Sequence, residues 1–234
     1  MIFARRNLII IVSVALIVST LLYVEHPAVR SAKTLAGMVG LTDSKRTIVG
    51  VTDIRSVDHV RGDPDADIIL VEYSDFGCAM CALMQESFDR LVREEDMMVV
   101  SRHLYETAGG DSFEWAVAAE CVAKHAGEEA YHTFAQYLYD NQYEQGIGQQ
   151  ALEVKAVELG ADVKEFQRCI AGDAMVRERI LRDSQEGWRL GARGTPYIIV
   201  IYDDTPVGIS YANRYEDFLK RVRRLVRQAQ REGV

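Results

Sequence analysis

Two cysteines three positions apart, Cys78 and Cys81, stand where a short β-forming run gives way to a helical pattern. Ile68 to Tyr73 is apolar and rich in β-formers, which predicts a buried strand. From Cys78 to Arg93 the apolar positions Cys81, Met84, Phe88, Leu91 and Val92 recur at intervals of three and four, so an amphipathic helix begins at the first cysteine. Met97 to Leu104 reads as the next strand. Strand, helix and strand in this order predict a βαβ unit and an α/β fold.

The junction gives the pair its chemistry. Free amides at a helix N-terminus favour negative charge, so a cysteine there sheds its proton more easily. The thiolate is the attacking species in disulfide exchange. Cys78 is the expected nucleophile. Cys81, one helical turn on and more buried, is the expected resolving thiol. Haem attachment needs a histidine directly after the second cysteine, and position 82 is Ala82. A zinc ribbon needs a second close pair, whereas Cys121 and Cys169 lie far apart on helical patterns. Copper carriage on the two thiolates with Met80, and a plain structural disulfide, stay open as alternatives. His125 and His132 lie seven apart on helical patterns and His103 ends a strand, with no third ligand evident, so no metal and no cofactor is expected.

The N-terminus bears on the compartment. Asn7 to Val24 is an uncharged run of 18 residues preceded by Arg5 and Arg6. As a helix it spans roughly 27 Å, close to the hydrocarbon thickness of a bilayer. The flanking arginines place the N-terminus in the cytoplasm and the rest of the chain outside. An uncleaved signal-anchor over residues 1–25 is the reading adopted, because the candidate cleavage site after Ala32 has Arg30 three residues before the cut; secretion to the periplasm after cleavage is the alternative. Residues 26–46 read as a stalk. Either route puts the cysteines where disulfides persist. The net charge of −8 argues against nucleic acid as a partner.

Thr47 to Ile54 could be a first strand, and Arg61 to Asp65 a turn. Asp111 to Leu190 is helical in pattern, with stripes at Phe113, Val117 and Cys121, at Tyr131, Phe134 and Leu138, and at Val163, Phe166 and Ile170. Trp115 and Trp188 read as packing residues. Tyr197 to Tyr202 is a strand, a turn at Asp203 to Pro206 leads to Val207 to Ser210, and a last helix runs from about Asn213 to Arg231. Its outer face carries Lys220, Arg221, Arg223, Arg224, Arg227 and Arg231, read as a solvated face.

Glu72-Tyr73-Ser74-Asp75-Phe76-Gly77-Cys78 through Cys81, with Gly194-Thr195-Pro196 about 115 residues later, resembles the DsbA-like branch of the thioredoxin superfamily, which comprises exported thiol-disulfide oxidoreductases. The resemblance covers roughly Val51 to Arg231. It implies a thioredoxin fold whose first half spans residues 47–107 and second half 191–234, with a helical domain of residues 108–190 inserted between. Matched by position, Cys78 is the nucleophile and Cys81 the resolving cysteine. Pro196 is the cis-proline facing the pair, and Thr195 supplies backbone groups to an extended substrate. Glu72 matches an acidic position beneath the site, where burial would let it exchange protons with Cys81; a surface glutamate at a strand end is the other reading. Some relatives carry a second bridge, which would join Cys121 to Cys169; two separate buried thiols are the alternative. The Ala79-Met80 dipeptide departs from the histidine-containing one of DsbA, and so implies a less acidic Cys78 and a weaker oxidant. The implied activity is disulfide exchange with cysteine-containing exported proteins, oxidation favoured over isomerisation or reduction, with a recycling partner in the membrane. A non-enzymatic copper carrier or envelope-assembly protein is the alternative class.

Overall fold

The computed structural model describes residues 54–105, 110–142, 147–202, 204–209 and 215–232. The apolar run Asn7–Val24, the stalk and most of the strand expected over Thr47 to Ile54 lie outside them; Ile54 itself is not in a strand. Among the described residues no helix is long and apolar enough to cross a membrane.

Five strands form one sheet. They are β1 (His59–Arg61), β2 (Ile68–Ser74), β3 (Met98–His103), β4 (Tyr197–Tyr202) and β5 (Thr205–Ile209), in the order β1-β3-β2-β4-β5. β2 and β3 run parallel, joined by α1 (Ala79–Glu95), which is the expected βαβ unit. The other pairings are antiparallel. The edge strand β1 was not foreseen, because three residues carry no readable alternation.

Alternation along β2 sorts its side chains between the two faces of the sheet. Leu70 packs with Met84 and Phe88 of α1 and with Phe218 and Val222 of α7 (Tyr215–Glu232). Val71 and Tyr73 point the other way, toward Leu104 and Leu190. Glu72 therefore falls on the α1 side. In register it pairs with Ser101 of β3 and Ile198 of β4.

Between β3 and β4 lie α2 (Asp111–Ala126), α3 (Glu128–Asn141), α4 (Gln149–Glu158), α5 (Val163–Gly172) and α6 (Ala174–Arg189). The first two predicted stripes are buried in one cluster with Phe166, Ile180, Ala118 and Val122. In the third stripe only Phe166 is buried, and Val163 is 40% exposed at the start of α5. A disulfide joins Cys121 of α2 to Cys169 of α5, with Cα atoms 5.8 Å apart. Of the two readings for these cysteines, the bridge is the one found. Trp115 is buried and gives its indole N–H to Ile147 O, and Trp188 gives its own to Tyr105 O.

α6 lies on the sheet face opposite α1. Gly187 makes that approach possible, since a Cβ there would meet Leu104 Cδ1 at 2.8 Å and Tyr73 Cδ1 at 2.9 Å. Beside it the fully buried Arg102 is clamped by Asp58, at 2.6 and 3.1 Å, and by Glu186 and Tyr73 Oη at 3.2 Å. A buried guanidinium needs such pairing to offset its lost hydration. On α7, Lys220, Arg221, Arg224, Arg227 and Arg231 are exposed as expected, and Arg223 pairs with Glu95 of α1.

Candidate active site

Asp75 shapes the turn between β2 and α1. Its carboxylate accepts from the Gly77 amide at 2.7 Å, and its carbonyl from the Cys78 amide at 3.0 Å. This turn delivers Cys78 as the N-cap of α1. Its sulfur accepts the Cys81 amide at 3.1 Å. The cap sits against the helical insertion, because a Cβ on Gly77 would lie 3.1 Å from Ser112 Cβ of α2.

The two cysteines differ as the sequence implies. Both are free thiols; Cys78 is half-buried and Cys81 has no exposed surface. A hydrogen bond from the Cys81 thiol, opposed by partial burial and supported by Thr195 and by the Cys81 and Met80 amides, draws the Cys78 pKa down to about 6. Burial first, then the adjoining Cys78, pushes Cys81 far above the ordinary thiol range. The thiolate is thereby favoured at Cys78 and the protonated thiol at Cys81.

Across from Cys78 stands the loop before β4. The Thr195-Pro196 bond is cis, and the Thr195 carbonyl lies 3.5 Å from Cys78 Sγ. The residues Cys78, Cys81, Thr195 and Pro196 are thus brought together from positions over a hundred residues apart.

Glu72 is buried at 1% exposure beneath the helix start, so the surface reading of this residue is set aside. Gln85 of α1 donates its amide to Glu72 Oε1 at 3.0 Å and to the Cys81 carbonyl at 3.2 Å. Burial raises the Glu72 pKa. The charge of Arg61 and hydrogen bonds from Gln85 and Ser74 oppose this, while the nearby Cys78 adds to it. Gln85 and Arg61 escaped the sequence reading. The only available signal was a polar residue one turn beyond Cys81 on the buried stripe of α1.

The thioredoxin family model, described as "Thioredoxin", matches residues 55–221. The chain belongs to the thioredoxin family. Its fold is the DsbA-like form with a helical insertion. Similar solved structures include alpha-DsbA1 of Wolbachia pipientis, at 20% identity and TM-score 0.63, covering 77% of this chain and 96% of that one. BdbD of Bacillus subtilis, oxidised, has 18% identity and TM-score 0.61, covering 73% and 94%. A thioredoxin-like oxidoreductase of Silicibacter pomeroyi has 24% identity and TM-score 0.57, covering 73% and 94%. Curated relatives carry a matching segment within longer proteins. The Na(+)/H(+) antiporter NhaA of Herminiimonas arsenicoxydans is 32% identical over 146 residues, 62% of this chain and 22% of that protein. NhaA 1 of Mycobacterium sp. (strain KMS) is 30% identical over 160 residues, 65% and 25%. The chain spans about a quarter of the length of the curated relatives it matches.

Proposed function

We propose that this thioredoxin-family chain is an exported thiol-disulfide oxidoreductase that exchanges disulfides with cysteine-containing substrate proteins through Cys78 and Cys81. The observation that carries the reading is the placement of Cys78. Its sulfur is half-exposed, receives a helix N-terminal amide, and faces the Thr195 carbonyl of the cis-proline loop. An extended substrate strand paired with the Thr195 backbone lies alongside that sulfur.

In the oxidising direction a substrate thiolate attacks Sγ of Cys78 in the Cys78–Cys81 disulfide. The S–S bond breaks, and Cys81 leaves with the electron pair. A second substrate thiolate then attacks the substrate sulfur of the mixed disulfide, and Cys78 departs as a thiolate. Two electrons have passed to the protein, and the substrate holds the new disulfide. Cys81 must take up a proton as it leaves, because burial disfavours its anion. Glu72, with its raised pKa and lying close enough for its charge to raise the Cys81 pKa further, is the donor in this reading.

A Cys78 pKa of about 6 lies between values of about 7 in thioredoxin and about 3.5 in DsbA. Acidity of the nucleophile stabilises the reduced form, so this supports an oxidant of intermediate strength. It also agrees with the loss of a histidine from the Ala79-Met80 dipeptide. Equilibration with a glutathione buffer is expected to give a reduction potential between about −270 and −120 mV, the range set by thioredoxin and DsbA. A value at or below the reducing end would turn the assignment toward reductase.

Glu72→Gln is expected to slow turnover about a hundredfold or more near neutral pH, the usual range for loss of a general acid. The alkylation midpoint of Cys78 should stay near 6. Equal turnover in the variant would leave Glu72 a structural role only. The uncharged run Asn7–Val24 supports export with an N-terminal tether, and the Cys121–Cys169 bridge supports an oxidising compartment. A partner in the membrane that reoxidises the pair completes the cycle.

A further inference from the structure

Apart from the two cysteines, ionisable side chains from five elements meet in a buried knot. His59 of β1 is 2% exposed, and each of its ring nitrogens faces a carboxylate. Nε2 lies 3.0 Å from Glu120 Oε1 of α2, and Nδ1 lies 2.8 Å from Glu128 Oε2, the first residue of α3. Tyr131 of α3 stacks on the ring. Glu120 also meets His103 Nε2 of β3 at 2.7 Å and the guanidinium of Arg179 of α6. Glu128 also meets His132 Nε2 of α3 and the Val60 amide, each at 3.0 Å.

A neutral imidazole has one N–H and one lone pair. With a carboxylate oxygen on both nitrogens, only the imidazolium can donate to both. Loss of the proton turns one of these hydrogen bonds into a lone pair facing an anion. We propose that His59 is a proton-operated latch that fastens the first turn of α3 to the edge strand β1.

The two carboxylates do not respond alike. Glu120 is 3% exposed and keeps Arg179 and His103 when His59 is neutral. The side chain of Glu128 is 48% exposed and can turn into water. The bond to Glu128 is therefore the one that yields, and the first turn of α3 rather than α2 is loosened, while His132 Nε2, 3.1 Å from Val60 O, keeps a second tie to β1. α3 walls a cavity of about 340 Å³ with Tyr131, Gln136 and Tyr139; Arg61, Gln85 and Ser101, which surround Glu72, line its other side. Loosening of α3 thus widens the cavity beside the residues that surround Glu72. This consequence rests on the exchange reading above, whereas the latch itself does not.

The direction with pH follows from the same contacts. Burial opposes the charge of His59, but hydrogen bonds to Glu120 and Glu128 outweigh it and raise its pKa above 6.5 despite Arg179. Burial likewise opposes both carboxylates, yet hydrogen bonds to His103 and His59 for Glu120, and to His132 and His59 for Glu128, hold them well below the usual carboxylate range. A raised histidine contributes fully below its unfolded pKa and is lost as pH rises through its folded one. A depressed carboxylate contributes fully above its unfolded pKa and is lost as pH falls through its folded one. The latch is tightest between about pH 4.5 and 6.5 and loosens on the alkaline side.

Hydrogen exchange of the full chain, corrected for intrinsic rates, tests this at about pH 6 and about pH 9. Amides of α3 should lose protection about tenfold or more at the higher pH, as expected for one charge-assisted hydrogen bond. Those of α5, held by the disulfide, should change far less. His59→Gln should show the loosened α3 already at the lower pH, with no further response. Equal protection of α3 at both pH values, uniform loss over all helices, or a native response in His59→Gln would each overturn the proposal. Glu128→Gln, altered at a half-exposed site, provides the same reading should His59→Gln fail to fold: it should blunt the response of α3, and a native response would overturn the latch.

Discussion

Cys78→Ser is expected to abolish disulfide exchange, with turnover in insulin reduction or oxidative refolding falling on the order of a thousandfold or more. Serine has no redox chemistry, and its hydroxyl is not deprotonated near neutral pH. The substitution is structurally mild, because serine is a favoured N-cap and its oxygen can accept the Cys81 amide as the sulfur does. Loss of activity with an unchanged circular dichroism spectrum is therefore the expected pair of results. In the native chain the rate of alkylation should rise through a midpoint near pH 6, as the thiolate forms. Cys81→Ser should behave differently. It keeps the attacking sulfur but cannot resolve the intermediate, so mixed disulfides with substrate should accumulate. Full activity in Cys78→Ser would remove the basis of the assignment.

Replacing Cys121 and Cys169 together by alanine is expected to lower stability by about 4 kcal/mol on the chain-entropy account of a loop of this length. For a domain of this size the melting temperature should fall by roughly 8–16 °C. The bridge ties α2 to α5 inside the cluster that also holds Phe134, Leu138 and Phe166. The bridge joins neither Cys78 nor Cys81, so exchange activity at low temperature should persist. A loss below about 1 kcal/mol in denaturant unfolding would mean that packing alone holds these helices together.

Local pattern was enough for the elements nearest the chemistry. The β-rich run before Cys78 and the three-and-four spacing after it define β2 and α1, because both periodicities are properties of consecutive residues. The helix start also determined which cysteine is acidic, since the free amides of a first turn belong to any helix that begins there. Resemblance in Gly194-Thr195-Pro196 pointed to the loop opposite, although that loop is more than a hundred residues away in the chain.

Other features had no local signature. β1 is three residues long and exists only through its pairing with β3. Val163 continues a helical stripe yet lies exposed, because among the described residues no element covers it at the start of α5. His59, His103, Glu120, Glu128, His132 and Arg179 looked like scattered polar residues on separate elements. Their significance depends on burial, which withdraws water and leaves each charge to be satisfied by the others. The sequence by itself determined the close cysteine pair, its order and its position at a helix start. Only the tertiary structure decided that Glu72 is buried under that start, that Cys121 meets Cys169, and that His59 lies between two carboxylates, because these depend on distances between segments remote in the chain and on which surfaces lose their water.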